Sequence, residues 1–229
     1  MRIAGLQKVS LLDFPGRIAA TVFLPGCNMR CPFCHNALLV LPGENPDPGM
    51  TELEFLDFLQ TRPGKLDGVC VTGGEPTLHK ELPELLRKIK DMGFQIKLDT
   101  NGTNPQMLSA LMAEGLLDYV AMDIKNTFEK YPVTAGGGGV DVAKVEESID
   151  FLLTDAVDYE FRTTVTAELH TPQDIGVIAS RIRGAKRYFL QNFKDSGDIV
   201  SGGNTAVTPQ IMEEMVKAAQ DVVCRVMAR

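Results

Sequence analysis

The sequence predicts an α/β fold, an incomplete (β/α)6 barrel, and three observations carry the prediction. Six short runs rich in apolar and β-branched residues recur along the 229-residue chain. Segments with helical periodicity fill the intervals between them, and capping or turn residues mark the joints. Such alternation builds parallel strands joined by right-handed crossovers. A doubly wound open sheet is the alternative, and strand order is what separates the two.

The strand-like runs fall at residues 18–24, 68–72, 94–99, 119–124, 159–165 and 187–191. Helical periodicity occupies residues 52–60, 82–92, 105–114, 142–153 and 172–183, and a last helix over 209–227 closes the chain. Thr51 with Glu54 three residues on has the form of a capping box. Thr171-Pro172 and Thr208-Pro209 each place a capping hydroxyl before an N1 proline. Residues 42–50, rich in Pro and Gly, read as a loop, and the four-glycine run in residues 135–139 reads as a flexible connection. The whole of 1–229 is expected to form one domain: an N-terminal extension over 1–17, a β/α core over 18–200 and a C-terminal helix over 208–229.

Composition narrows the function. Hydrophobic residues make up 44% of the chain, enough for one substantial core. The formal charge is −7 and the Lys and Arg residues form no cluster, so no nucleic-acid partner is expected. No apolar run approaches a membrane span, and the N-terminal residues lack the apolar stretch of a signal peptide. A cytoplasmic protein with no membrane association is the expectation.

Three of the five cysteines, Cys27, Cys31 and Cys34, lie within eight positions directly after the first strand. That crowding points to metal or redox chemistry rather than to a disulfide framework. Three thiolates in C-x3-C-x2-C spacing leave one iron of a four-iron cluster without a protein ligand, so a small molecule can coordinate there. Zinc held by Cys27, Cys31, Cys34 and His35 is the competing reading. The adjacency of Cys34 and His35 hinders a tetrahedral site, and the usual paired-cysteine spacing is absent. Cys70 and Cys224 read as small packing residues, and His79 and His170 as structural.

Further motifs sit at strand ends. Gly73-Gly74-Glu75-Pro76 follows the second strand; its glycines allow close backbone approach to a ligand, although a plain turn has the same form. Asp99-Thr100-Asn101-Gly102 ends the third strand and Asp123-Ile124-Lys125 the fourth. Carboxylates there are costly to bury unless paired. Arg162, within the fifth strand, is either a partner for such a carboxylate or a fork for recognising a ligand's carboxylate.

Taken together, the cysteine loop with its Phe33-Cys34 pair resembles the signature of the radical S-adenosylmethionine (SAM) superfamily. The resemblance implies the radical SAM fold, one [4Fe–4S] cluster on Cys27, Cys31 and Cys34, and SAM bound through its amino and carboxylate groups at the open iron. An electron from the reduced cluster then cleaves the sulfonium, releasing methionine and a 5′-deoxyadenosyl radical. It further implies that Gly73, Gly74 and Glu75 bind the SAM amino group, and that Phe33 and His35 pack against its adenine. Asp99, Thr100 and Asp123 would hold SAM and gather a monovalent cation near its carboxylate. Lys125 would touch SAM or the partner, and Arg162 would face the SAM site.

The match narrows through Ser10-Leu11-Leu12-Asp13-Phe14-Pro15-Gly16, the run from Thr21 to Asn36, and the segments 97–103 and 119–125. These resemble the activating proteins of anaerobic ribonucleoside-triphosphate reductase, over nearly the whole chain. The implied reaction is hydrogen abstraction from a glycine Cα of a large partner, a glycyl radical enzyme, with electrons from a low-potential donor such as flavodoxin or ferredoxin. Asp13 is a candidate contact to the incoming peptide loop. Activases of pyruvate formate-lyase, an alternative target, carry a histidine after the sixth strand. Here that stretch is Gln191-Asn192-Phe193, and Gln191 or Asn192 is the candidate polar substitute. An iron–sulfur electron carrier or sensor is the rival of a different class.

Overall fold

The computed structural model describes residues 1–41, 49–137, 139–195 and 197–229. Strands β1 (Arg2–Ile3) and β2 (Gly5–Ser10) lead into β3 (Ala19–Leu24), followed by the short helix α1 (Ala37–Val40), β4 (Met50–Thr51) and α2 (Glu52–Gln60). Strict alternation then begins: β5 (Gly68–Gly73), α3 (Leu82–Asp91), β6 (Gln95–Thr100), α4 (Pro105–Ala113) and β7 (Tyr119–Asp123). Two successive helices, α5 (Tyr131–Thr134) and α6 (Val142–Leu153), interrupt it before β8 (Asp158–Val165), α7 (Pro172–Arg181), β9 (Tyr188–Asn192), α8 (Pro209–Gln220) and β10 (Val226–Ala228).

One eight-stranded sheet runs in the order β10-β9-β8-β7-β6-β5-β3-β2, and β1 pairs with β4 in a small separate ribbon. All neighbours in the large sheet are parallel except β2, which runs antiparallel to β3. The six central strands lie side by side in chain order. A doubly wound sheet would reverse order at a switch point, so the architecture is an open, partial β/α barrel. Strands β3, β5 and β7 are buried at almost every position, as parallel strands covered on both faces must be.

The six expected strands and the first five expected helices form within one or two residues of their expected limits. The capping box at Thr51 is complete: its hydroxyl accepts from Glu54 N while Glu54 accepts from Thr51 N. Thr171 builds a second one with Asp174, and Thr208 Oγ1 accepts from Ile211 N.

Two segments differ from expectation. Residues 1–17, expected as an N-terminal extension outside the β/α core, add β2 to the main sheet. The last helix stops at Gln220 rather than 227, and residues 226–228 pair with β9. The backbone of β9 offers a row of donors and acceptors that need partners; Val226 and Met227 are suited to a strand and take them up. The expected loop over 42–50 lies mostly outside the described residues; its last residue, Met50, opens β4. Among the described residues no helix is long and apolar enough to cross a membrane.

Candidate functional site

Parallel strands deliver their C-terminal ends to one face, and the loops leaving them converge there. In this chain they surround a cavity of about 440 Å³, within the range of small-molecule sites. Its wall includes Cys27, Cys31 and Cys34 after β3, Gly73 and Gly74 at β5, Asp99 and Thr100 at β6, Asp123 and Lys125 at β7, Arg162 and Thr164 on β8, and Gln191 on β9. Phe33, His35 and Asp13 also line it.

The cysteine loop is shaped by its main chain. Gly26 N donates to Leu39 O and Cys34 N to Cys31 O. Arg30 N donates to Ala135 O, and Ser201 N and Val200 N donate to Pro32 O and Cys34 O. A Cβ on Gly136 would stand 1.9 Å from Arg30 O. The start of the glycine run is therefore a packing surface for this loop, not a free connection; Gly138 lies outside the described residues. Asn28 and Asn101 tie the loop to the end of β6, through Asn101 Nδ2 to Asn28 Oδ1 at 2.9 Å and Asn28 Nδ2 to Thr103 Oγ1 at 2.8 Å.

Burial pushes the Cys27 thiol up and raises Cys31 to about 11, with Lys125 pulling Cys31 back. Ligation by these sulfurs must therefore expel protons. Among the described residues, no three His, Cys, Asp or Glu side chains draw close enough to share a single metal ion. A four-iron cluster spreads its thiolates over separate irons, whereas zinc gathers its ligands around one point. Three cysteines ringing one cavity fit the cluster.

Gly73 and Gly74 permit a close crossing of two backbones. Gly73 has φ +118, and a Cβ there would meet Leu24 N and O at 2.4 Å. A Cβ on Gly74 would lie 1.9 Å from Gly26 O. Gly74 N donates to Leu24 O and Glu75 N to Gly26 O, both at 2.8 Å, which fastens this turn under the cysteine loop.

Glu75 departs from the expected position. Its carboxylate is fully buried and is not part of the cavity wall. It accepts from Thr77 N, Thr77 Oγ1, Thr100 Oγ1 and Asn101 N at 2.5–3.1 Å. Burial pushes its pKa up and these donors pull it back. The side chain clamps the β5 and β6 turns together, with both oxygens accepting from protein donors.

A chain of five charges runs along the cavity, four of them lining it and buried Lys97 behind Asp99. Lys97 Nζ meets Asp99 Oδ1. Arg162 Nη1 donates to Asp99 Oδ2 at 3.2 Å and its Nε to Asp123 Oδ1 at 2.8 Å. Lys125 Nζ donates to Asp123 Oδ2 at 2.9 Å. Burial pushes both carboxyls up, but Arg162 acting with Lys97 on Asp99, and with Lys125 on Asp123, holds both below the ordinary aspartate range. Burial likewise favours deprotonation of Lys125, and Asp123 more than reverses it. Arg162 is thus a partner for two carboxylates, and it also lines the cavity.

This arrangement does not fit the monovalent cation that the resemblance implies. All four carboxylate oxygens of Asp99 and Asp123 already accept from cationic side chains. The Thr100 hydroxyl is turned into Glu75.

The remaining residues sort by contact. His35 stacks on Phe193 with centroids 5.4 Å apart and meets Lys194 O through Nε2. Phe33 is buried and meets His170 edge-on at 6.3 Å. His170 accepts from Thr166 N at Nδ1, so its Nε2 carries the proton donated to Lys125 O; it is structural, as is His79 against Pro25 O. Asn192 is bound at both ends of its amide to Val207, which leaves Gln191 as the polar side chain of that strand end facing the cavity. Asp13 accepts from Thr21 Oγ1 at 2.6 Å, and Ser10 Oγ holds its loop by accepting from Leu12 N and Asp13 N.

Sequence reasoning passed over Lys97 and the Asn28–Asn101 link. Lys97 was detectable, because it lies two residues before Asp99 and strand periodicity puts both on one face.

Comparison with known proteins agrees with this geometry. The family model described as the Radical SAM superfamily matches residues 21–166, from β3 to just past β8. A protein of Methanocaldococcus jannaschii described as a glycyl-radical enzyme activating enzyme is 37% identical over 205 residues, covering 86% of this chain and 82% of its own. In fold, the chain resembles a domain of a pyruvate-formate lyase-activating enzyme from Bacteroides vulgatus (TM-score 0.57, 15% identity, 71% of this chain and 98% of that one). It also resembles Streptococcus suis SuiB bound to S-adenosylmethionine (TM-score 0.67, 12% identity, 91% of this chain and 51% of that one). With the cysteine loop, the strand-end cavity and the sequential parallel strands in place, the chain belongs to the radical SAM superfamily, enzymes of a [4Fe–4S] cluster and SAM, and is a homologue of glycyl-radical enzyme activating enzymes.

Proposed function

We propose that this chain is a cytoplasmic activating enzyme that installs a glycyl radical on anaerobic ribonucleoside-triphosphate reductase. The observation that carries the reading is the shared cavity, where Asp13 of the Ser10–Gly16 loop meets the cysteine loop and the ends of β5 to β9. Similarity to an activating enzyme over 86% of the chain supports it.

Cys27, Cys31 and Cys34 hold the cluster, and the backbone at Gly73 and Gly74 receives the SAM amino group. Glu75 acts on SAM only by bracing that turn. Arg162 and Lys125 present positive charge to the SAM carboxylate, with Asp99 and Asp123 fixing their positions, while Thr100 braces the β6 turn through Glu75. Phe33 and His35 flank the adenine, and Gln191 supplies a polar contact at the adenosyl end. When bound, the cluster and SAM supply a carbon radical able to take a hydrogen from glycine Cα. The protein's part is to bind, orient and exclude water. Glycine suits the substrate role because it has no side chain to obstruct entry into the cavity. A low-potential donor such as flavodoxin or ferredoxin supplies the electron.

The test incubates anaerobically reconstituted protein with SAM, a reductant and a panel of glycyl radical enzymes. A doublet electron paramagnetic resonance signal arising in the reductase is expected. A signal only in pyruvate formate-lyase or another member reassigns the target. Intact SAM with a fully loaded cluster removes the activase reading and leaves an electron carrier or sensor.

A further inference from the structure

We propose that Arg162, flanked by Lys97 and Lys125, takes the place of a metal ion between Asp99 and Asp123, so that SAM binding by this chain is independent of sodium or potassium. The inference rests on the proposed SAM site.

Three observations support it. The first is occupancy. The guanidinium bridges the aspartates, Nε to Asp123 and Nη1 to Asp99, while Lys97 and Lys125 take the outer oxygens. A metal ion seated there would have to share oxygens that already accept from cations and would lie against the guanidinium, at a cost in like-charge repulsion. The second is register. Arg162 lies directly beside Asp123 in the β7–β8 pair, so the backbone itself carries the guanidinium to this point. The third is charge. Three cations face two carboxylates, leaving one positive charge within a network that is only partly solvated; side-chain exposure is 13% for Arg162, 14% for Lys125 and 2% for Lys97. That surplus matches the single carboxylate of an amino-acid ligand. An additional metal ion would double the surplus at a cost in desolvation. A guanidinium has five N–H donors, so the two committed to aspartates leave others for a ligand carboxylate.

Calorimetric titration of SAM into the anaerobically reconstituted protein tests this in potassium, sodium or tetramethylammonium chloride at one ionic strength. Affinities within about threefold of one another are expected, a difference below 1 kcal/mol. Weakening beyond that in tetramethylammonium overturns the proposal while leaving the SAM site intact. Absence of binding in every salt overturns the SAM site and the proposal with it. Arg162→Gln should weaken SAM binding by about tenfold or more and make it potassium-dependent, because the aspartates then face each other without their bridging cation. Arg162→Lys should remain independent of the salt. Unweakened, salt-independent binding by folded Arg162→Gln would also overturn the proposal. Should that variant fail to fold, the wild-type salt series alone decides.

Discussion

Asp123 and Arg162 are paired residues of the parallel strands β7 and β8, and the guanidinium Nε donates to the carboxylate at 2.8 Å. Backbone register thus delivers two opposite charges to the rim of the barrel, and Asp99 from the next strand joins them through Nη1. The network is assembled by sheet geometry, and its members answer to substitution differently according to their burial.

Lys97 is the deepest member. Lys97→Met removes the cation beside Asp99 Oδ1 and leaves a carboxylate with less compensation in a confined space. A loss of about 3 kcal/mol is expected, the lower part of the range for breaking a buried pair, because Asp99 keeps Arg162 and Thr72. Urea unfolding of the variant measures it, and an unchanged midpoint refutes it.

Gly74→Ala tests the crossing of the β3 and β5 turns. The added methyl would overlap Gly26 O, a main-chain atom that cannot rotate away. Destabilisation of about 2–3 kcal/mol and weaker SAM binding are expected together, read by urea unfolding and calorimetry. Gly184→Ala makes a contrast: no atom lies within 4 Å of its added Cβ, so only its positive φ is at stake.

Glu75→Gln replaces an acceptor of four hydrogen bonds with an amide whose nitrogen cannot accept. Stability should fall by about 2 kcal/mol, while SAM affinity of the folded fraction changes by less than about tenfold. The opposite split, normal stability with lost affinity, would make Glu75 a direct ligand.

Alanine at Cys27, Cys31 or Cys34 should each abolish stable iron incorporation under anaerobic reconstitution, whereas Cys224→Ala should retain it. Iron and sulfide analysis, with circular dichroism to verify folding, separates the outcomes. Full iron loading of Cys31→Ala would remove that residue from the ligand set.

Acid should destabilise the protein in two stages. Burial holds His170 below its ordinary pKa, so the unfolded chain takes up this proton first. Stability from the neutral ring is complete above about pH 6.5, the unfolded value, and declines as pH falls below it. Asp99 and Asp123 are also depressed, and their contribution persists to about pH 3.9 before declining. Thermal melts across this range should show both stages, and Asp123→Asn should diminish the second one selectively.

Much of this was legible in the sequence because local and global signals coincide. Apolar and β-branched runs, helical periodicity, threonine caps and N1 prolines placed six strands and five helices, and the C-x3-C-x2-C loop located the cavity. What escaped depends on contacts between distant residues. The helical pattern of residues 209–220 gives no sign that β9 captures residues 226–228 as another strand. Glu75 sits in a motif whose neighbours face the cavity, but Thr77, Thr100 and Asn101 converge on its carboxylate only after folding. Gly136 reads as loose chain, whereas in the fold Arg30 O takes up the space a Cβ would need.

The clamps on the cysteine loop have one more implication. Those from Leu39, Ala135, Val200 and Ser201 join main chain to main chain and use no thiol. The loop is therefore expected to keep its form without iron, unlike small zinc modules that unravel when stripped. Air damage that destroys the inorganic core should leave an intact receptacle, ready to be recharged once iron, sulfide and reducing conditions return.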